Sequence, residues 1–153
     1  MKTALFPGSF DPFHKGHEEI VNRVLSLFDK IVIGIGNNTA KQYLFPIEKR
    51  KAIIRSAFER ESKIEVIEYS GLTVEFCKKI NAGYIIRGLR HAGDFEFEQS
   101  IAQMNQAMSP EVQTLFIPCR PEFSAISSTI LRDILKHGGS IAQFMPSSSQ
   151  KLL

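Results

Sequence analysis

The chain alternates between short β-branched runs and longer amphipathic stretches. Thr3 to Phe6, Ile31 to Ile35, Ile64 to Tyr69, Tyr84 to Ile86 and Thr114 to Ile117 are each short and rich in Ile, Val, Phe or Tyr. Runs of that length with little apolar–polar alternation predict strands buried on both faces, as in a parallel sheet. Between them lie helical stripes. Ile20, Val21, Val24, Leu25 and Phe28 form one; Ile53, Ile54, Ala57 and Phe58 form a second. Phe97, Ile101, Met104 and Met108 recur at i, i+4, i+7 and i+11 and form a third. Val74, Cys77 and Ile80 make a shorter one before the fourth strand, and Ile130, Leu131, Ile134 and Leu135 make the last. Strand and helix in strict alternation predict right-handed βαβ units and an α/β class.

The length of 153 residues predicts one domain spanning residues 1–153. The expected architecture is a Rossmann-like open sheet of five parallel strands with helices on both faces. No repeat, low-complexity segment or interdomain linker interrupts it, and the polar residues 146–153 are expected to form a loosely ordered tail. A hydrophobic fraction of 43%, with 12 Phe, excludes disorder. No apolar run approaches the roughly 18 residues of a membrane span, and Pro7 interrupts the N-terminal apolar stretch before it could form a signal peptide. A cytoplasmic location and no membrane partner are therefore expected. Cys77 and Cys119 fall in no metal-binding spacing, which argues against a disulfide scaffold and a zinc site. The net charge of +3 gives only a weak preference for anions. The cations do not cluster into a stripe interleaved with aromatics, so no nucleic-acid partner is expected.

In open α/β sheets ligands bind beyond the carboxyl ends of the strands, which directs attention to four loops. The first, Phe6 to His17, carries two prolines and two glycines and so follows a fixed, irregular path. Gly16 would let a backbone or a phosphate approach closely. His14 and His17 fall at the start of the first helix, where free N–H groups and the dipole favour a phosphate, and Ser9 adds a hydroxyl. An ordinary turn serine and a structural histidine are the bland alternatives. The second loop carries Lys41, a lysine that is either solvated or functional, and Pro46 opens the following helix as an N1 residue. Beyond the fourth strand, Arg87 and Arg90 flank Gly88 and Leu89, and guanidinium groups recognise phosphate bidentately. They would otherwise pair with Asp94, Glu96 or Glu98 in a surface network. Asp94 is a candidate N-cap, and Glu98, one turn on, could hold ribose hydroxyls or position a cation. The fourth loop, Phe123 to Thr129, brings Ser127, Ser128 and Thr129 to a helix start.

Pro7-Gly8-Ser9-Phe10-Asp11-Pro12 followed by His14-Lys15-Gly16-His17 resembles the opening of the nucleotidylyltransferase superfamily, whose signature is His-x-Gly-His. Class I aminoacyl-tRNA synthetases share a related motif but are far longer. Arg87-Gly88-Leu89-Arg90, Asp94-Phe95-Glu96 with Glu98, and Ile126-Ser127-Ser128-Thr129 at these spacings narrow the resemblance to the phosphopantetheine adenylyltransferases, from about residue 3 to about residue 145. The resemblance implies transfer of the adenylyl group of ATP to 4′-phosphopantetheine, giving dephospho-CoA and pyrophosphate in coenzyme A biosynthesis. It implies ATP contacts at Ser9, Phe10, His17, Gly88, Leu89, Arg90, Glu98 and Phe123, Ser124, Ala125, Ile126, Ser127, Ser128 and Thr129, with His17 stabilising the transition state. It implies phosphopantetheine contacts at Ser9, Lys41, Thr73 and Arg87. It also implies Mg²⁺ held mainly by the ATP phosphates, with no protein metal ligands, and a homohexamer. Other acceptors (nicotinamide mononucleotide, glycerol phosphate, riboflavin phosphate) and a non-catalytic nucleotide-binding module remain open alternatives.

Overall fold

The structure is a computed structural model describing residues 1–153. Five strands, β1 (Thr3–Gly8), β2 (Lys30–Gly36), β3 (Ile64–Tyr69), β4 (Tyr84–Leu89) and β5 (Gln113–Pro118), form one parallel sheet in the order β3-β2-β1-β4-β5. Helices α1 (Lys15–Val24), α2 (Ile47–Ala57), α3 (Thr73–Lys79), α4 (Ala92–Met108) and α5 (Ser128–Lys136) follow β1 to β5 in turn. This is the α/β open sheet of five parallel strands that the strand–helix alternation predicts.

The pleat assigns neighbouring residues of each strand to opposite faces. Ala4, Phe6, Ile31, Ile33, Ile35 and Ile86 join one core with Ile20, Val21 and Val24 of α1, Ile53 and Ile54 of α2 and Leu131 of α5. Leu5, Val32 and Ile85 point the other way, onto Val74, Phe76 and Cys77 of α3. Apolar side chains at both odd and even positions are therefore a direct requirement of two covered faces.

β1 pairs with β2 along its whole length, from Thr3–Lys30 to Gly8–Ile35. Its ladder with β4 contains only Ala4–Tyr84 and Leu5–Ile85, although both strands run on. The sheet therefore splits at the carboxyl ends of its two middle strands, where the strand order also reverses. A ligand crevice is expected at such a point.

Three segments differ from the sequence expectation. The fourth strand continues three residues further than its β-branched run, because Arg87, Gly88 and Leu89 still pair with Phe116, Ile117 and Pro118 of β5. The stripe Phe97, Ile101, Met104 and Met108 does not enter the core: these residues are 69%, 39%, 63% and 46% exposed, and Glu98 is the buried residue of α4. Residues 147–152, expected to be loose, wind into a 3₁₀ helix. There Ser149 is fully buried, with its N–H and Oγ both bonded to Pro146 O at 2.9 Å, and Leu152 packs on the larger core. Local polarity understated this segment because Met145 and Ile141, both buried, anchor it from the N-terminal side. Deleting residues 147–153 should lower unfolding stability by roughly 2 kcal/mol, about the value of one buried Leu side chain. An unchanged urea midpoint would show that the segment contributes nothing.

Candidate active site

Carbonyls at the end of β1 and in the loop that leads to α1 are taken up by side chains from other elements. Arg87 Nη1 donates to Pro7 O at 2.9 Å, Arg50 Nη1 to Ser9 O at 2.9 Å and Arg132 Nη1 to Asp11 O at 2.8 Å. Ser128 Oγ donates to Pro12 O at 2.9 Å. The buried Asp11 carboxylate accepts from the Leu44 and Phe45 N–H groups, each at 2.8 Å, and so ties this loop to the one before α2. Phe10 adopts a left-handed φ of 48° and lays its ring over Gly8, where a Cβ would come within 2.8 Å of the ring carbons. Gly8 is needed for that close approach.

His14 is the N-cap of α1, and its Nδ1 accepts from Gly16 N–H at 3.1 Å. His17, at the third helical position, accepts on its own Nδ1 from His14 N–H at 3.2 Å. The two histidines thus form a reciprocal capping box, with ring centroids stacked 3.7 Å apart. Gly16 makes room for this imidazole: a Cβ there would lie 3.0 Å from His14 Cε1. A backbone N–H can only donate, so each Nδ1 is unprotonated and each neutral ring carries its hydrogen on Nε2. Burial, then the Arg90 charge, pulls His14 down to about 3. Burial, then His14, Arg87 and Arg90, holds His17 well below its ordinary value. Both rings are neutral donors at neutral pH.

Two cavities meet at the split in the sheet. The first, about 300 Å³, lies between the ends of β1 and β4 and the start of α5, with His14, His17, Gly88, Arg90 and Arg132 in its lining. The second, about 340 Å³, lies toward α3 and α4 and includes Gly36, Tyr69, Thr73, Glu98, Ile101 and Asn105. Pro7, Gly8, Ser9 and Arg87 line both.

Of the residues expected at a site, Ser9, Phe10, His17, Gly88, Arg90, Phe123, Ile126, Ser127, Ser128 and Thr129 line the first cavity. Ser9, Thr73 and Arg87 line the second. Leu89, Ser124 and Ala125 line neither, and Lys41 is exposed on its loop outside both. Glu98 belongs to the second cavity, where it grips Arg87 through Nε at 2.7 Å and Nη2 at 2.6 Å. At 8% exposed it makes a buried clamp, not a surface network. Asp94 is the third residue of α4, not its cap; its carboxylate accepts from Arg90 N–H at 2.9 Å, and His91 is the N-cap. Pro46 is likewise the N-cap of α2 and Ile47 the first helical residue. Ser127 caps α5, accepting from Ile130 N–H at 3.2 Å.

Sequence reasoning did not pick out Asp11, Arg50 and Arg132. Asp11 lies between two singled-out motif residues and Arg132 three residues after Thr129, so proximity could have flagged both. Arg50 sits in an ordinary polar position of an amphipathic helix, with no local signal.

Residues 5–134 match a family described as cytidylyltransferase-like. Over 146 residues the chain is 48% identical to the phosphopantetheine adenylyltransferase of Flavobacterium johnsoniae, covering 95% of each. It is 46% identical to that of Christiangramia forsetii over 151 residues, covering 99% of each. The chain belongs to the phosphopantetheine adenylyltransferases. A solved bifunctional NMN adenylyltransferase/ADP ribose pyrophosphatase from Francisella tularensis superposes with a TM-score of 0.77 at 19% identity. That match covers 98% of this chain and 46% of the larger one, and it shows a shared fold.

The neutral His14 gives the protein a defined acid sensitivity. Below pH 6.5 the unfolded chain binds a proton that the folded chain refuses down to about 3. Stability should therefore fall as pH falls through that window, by up to about 1.4 kcal/mol per unit from this residue. His14→Asn keeps an acceptor for Gly16 N–H and removes the titration, so urea midpoints between pH 7 and pH 5 should vary less than in the wild type. An equally steep dependence in the variant would assign the effect elsewhere.

Proposed function

We propose that the chain transfers the adenylyl group of ATP to 4′-phosphopantetheine, giving dephospho-CoA and pyrophosphate in coenzyme A biosynthesis, by direct in-line displacement. The observation that carries this reading is the common wall of the two cavities, Pro7, Gly8, Ser9 and Arg87. Two ligands entering from opposite sides would meet there end to end, which is what a displacement at one phosphorus requires. ATP would fill the first cavity, its phosphates facing His17, Arg90 and the α5 N-terminus. Phosphopantetheine would fill the second, with its phosphate at Ser9 and Arg87 and its arm toward Thr73. Lys41 remains an acceptor contact in this proposal, supplied by its loop rather than by the cavity wall.

The acceptor is a phosphate monoester with a second pKa near 6, so at neutral pH it is already mostly dianionic and needs no general base. The barrier lies in bringing a dianion to a polyphosphate and in the charge that grows during transfer. Arg87 and Arg90 supply positive charge. His17 supplies a neutral Nε2–H, fixed in direction because its Nδ1 is occupied by His14 N–H.

Magnesium fits this site only as a companion of the nucleotide. No three His, Cys, Asp or Glu side chains gather into an ion-holding set. The nearest carboxylates are engaged, Asp11 by Leu44 and Phe45, Asp94 by Arg90 and Glu98 by Arg87. The ion would arrive on the ATP phosphates, and no step is assigned to it. A cytoplasmic homohexamer completes the proposal. No helix is long and apolar enough to cross a membrane, and the exposed α4 stripe of Phe97, Met104 and Met108 supplies a face for another copy. Light scattering should return six copies of the 17.3 kDa chain.

Pyrophosphate release should be seen with ATP and phosphopantetheine and stay near background with nicotinamide mononucleotide, glycerol phosphate or riboflavin phosphate. Faster turnover of any of those three would replace the proposed acceptor. His17→Ala should lower kcat by about 10²–10³, as loss of one transition-state donor does. Near-wild-type kcat at saturating ATP would remove His17 from the mechanism.

A further inference from the structure

Arg50 is 1% exposed and has no carboxylate within ion-pair distance among the bridges of the fold. Arginines are almost never so fully buried without a charged partner. What holds it is backbone and an aromatic face. Nε donates to Phe45 O at 3.0 Å, Nη1 donates to Ser9 O at 2.9 Å, and the guanidinium lies 4.0 Å from the Tyr43 ring centroid. Tyr43 Oη in turn donates to Gly36 O at 3.3 Å and accepts from Asn38 N–H at 2.9 Å.

Arg50 thus joins the loop after β1 to the loop after β2 from behind, and it lines neither cavity. Its reach leans toward the second cavity, because Gly36 lines that one alone while Ser9 belongs to the wall the two share. Ser9 and Gly36 are both walls of the second cavity, and Lys41 lies in the loop that Tyr43 and Phe45 anchor. The first cavity has anchors of its own on the same loop, Arg132 on Asp11 O and Ser128 on Pro12 O, and neither passes through Arg50.

We infer that Arg50 is a positioning residue for the phosphate acceptor: its fork on the Ser9 and Phe45 carbonyls, covered by Tyr43, sets the spacing between Ser9 and the loop bearing Lys41. This rests on the assignment of the second cavity to the acceptor. Lysine cannot replace it, because a point charge does not span two carbonyls in a fixed plane.

The test compares wild type, Arg50→Lys and Tyr43→Leu as full-length proteins, well below their thermal midpoints, with both substrates varied. Arg50→Lys should raise the acceptor KM by about tenfold, the equivalent of one hydrogen bond to a charged group. ATP KM should stay within about twofold. Tyr43→Leu, which keeps the arginine and removes its cover, should move the acceptor KM in the same direction by less. Equal rises in both KM values, or a lowered thermal midpoint with neither KM changed, would make Arg50 a stabilising residue only. If Arg50→Lys does not fold, Tyr43→Leu decides on the same criterion. Trypsin cleavage after Lys41, read by mass spectrometry, adds a measure that needs no turnover and should accelerate in both variants. Unchanged cleavage would overturn the anchor. Wild type that cleaves normally but does not use phosphopantetheine would instead overturn the functional reading.

Discussion

Everything at the carboxyl edge of the sheet depends on how the end of β1 and the loop after it dispose of their carbonyl groups. Pro7, Ser9 and Asp11 present oxygens that no strand can satisfy, and a buried carbonyl left unpaired is costly. Three arginines from three elements, Arg87 of β4, Arg50 of α2 and Arg132 of α5, each take one of them. The loop is held rigid by side chains that arrive from either side of the sheet's middle. Arg87 and Arg132 also face the first cavity and keep unused donors, so the groups that satisfy the backbone form part of the cationic lining.

The split between β1 and β4 makes this arrangement possible. Had their ladder continued past Leu5 and Ile85, the Pro7 carbonyl would have had a backbone partner and Arg87 no place between the strands. Arg87 stands in for the missing rung, while Glu98 fixes its other edge. The two histidines complete the site without adding charge, because burial first and the neighbouring arginines second disfavour a charged ring, and a backbone donor pins each.

Much of this was legible in the sequence because it is local. Strand runs, helix stripes and the hydroxyls at the start of α5 depend on neighbours within a few residues. The placement of His14 and His17 at a helix start was readable for the same reason, although their mutual capping was not. What escaped depends on distant partners. Arg50 looks like any polar residue of an amphipathic helix until Ser9, 41 residues away, is seen beneath it. Glu98 could be placed near a site by helical spacing, but its attachment to Arg87 needed the register of α4 against β4. The α4 stripe shows a related limit: periodicity reports that a helix has an apolar face, not what that face meets. The short tail is the converse case, a polar segment drawn in by apolar anchors on its flank.

Helix α4 has one further consequence. Ile101, Ala102 and Asn105 form a wall of the second cavity, while Phe97, Met104 and Met108 lie on the exposed side of the same few turns. The two flanks share one axis, so a displacement of α4 imposed from its open apolar side would move the wall of the second cavity by the same amount.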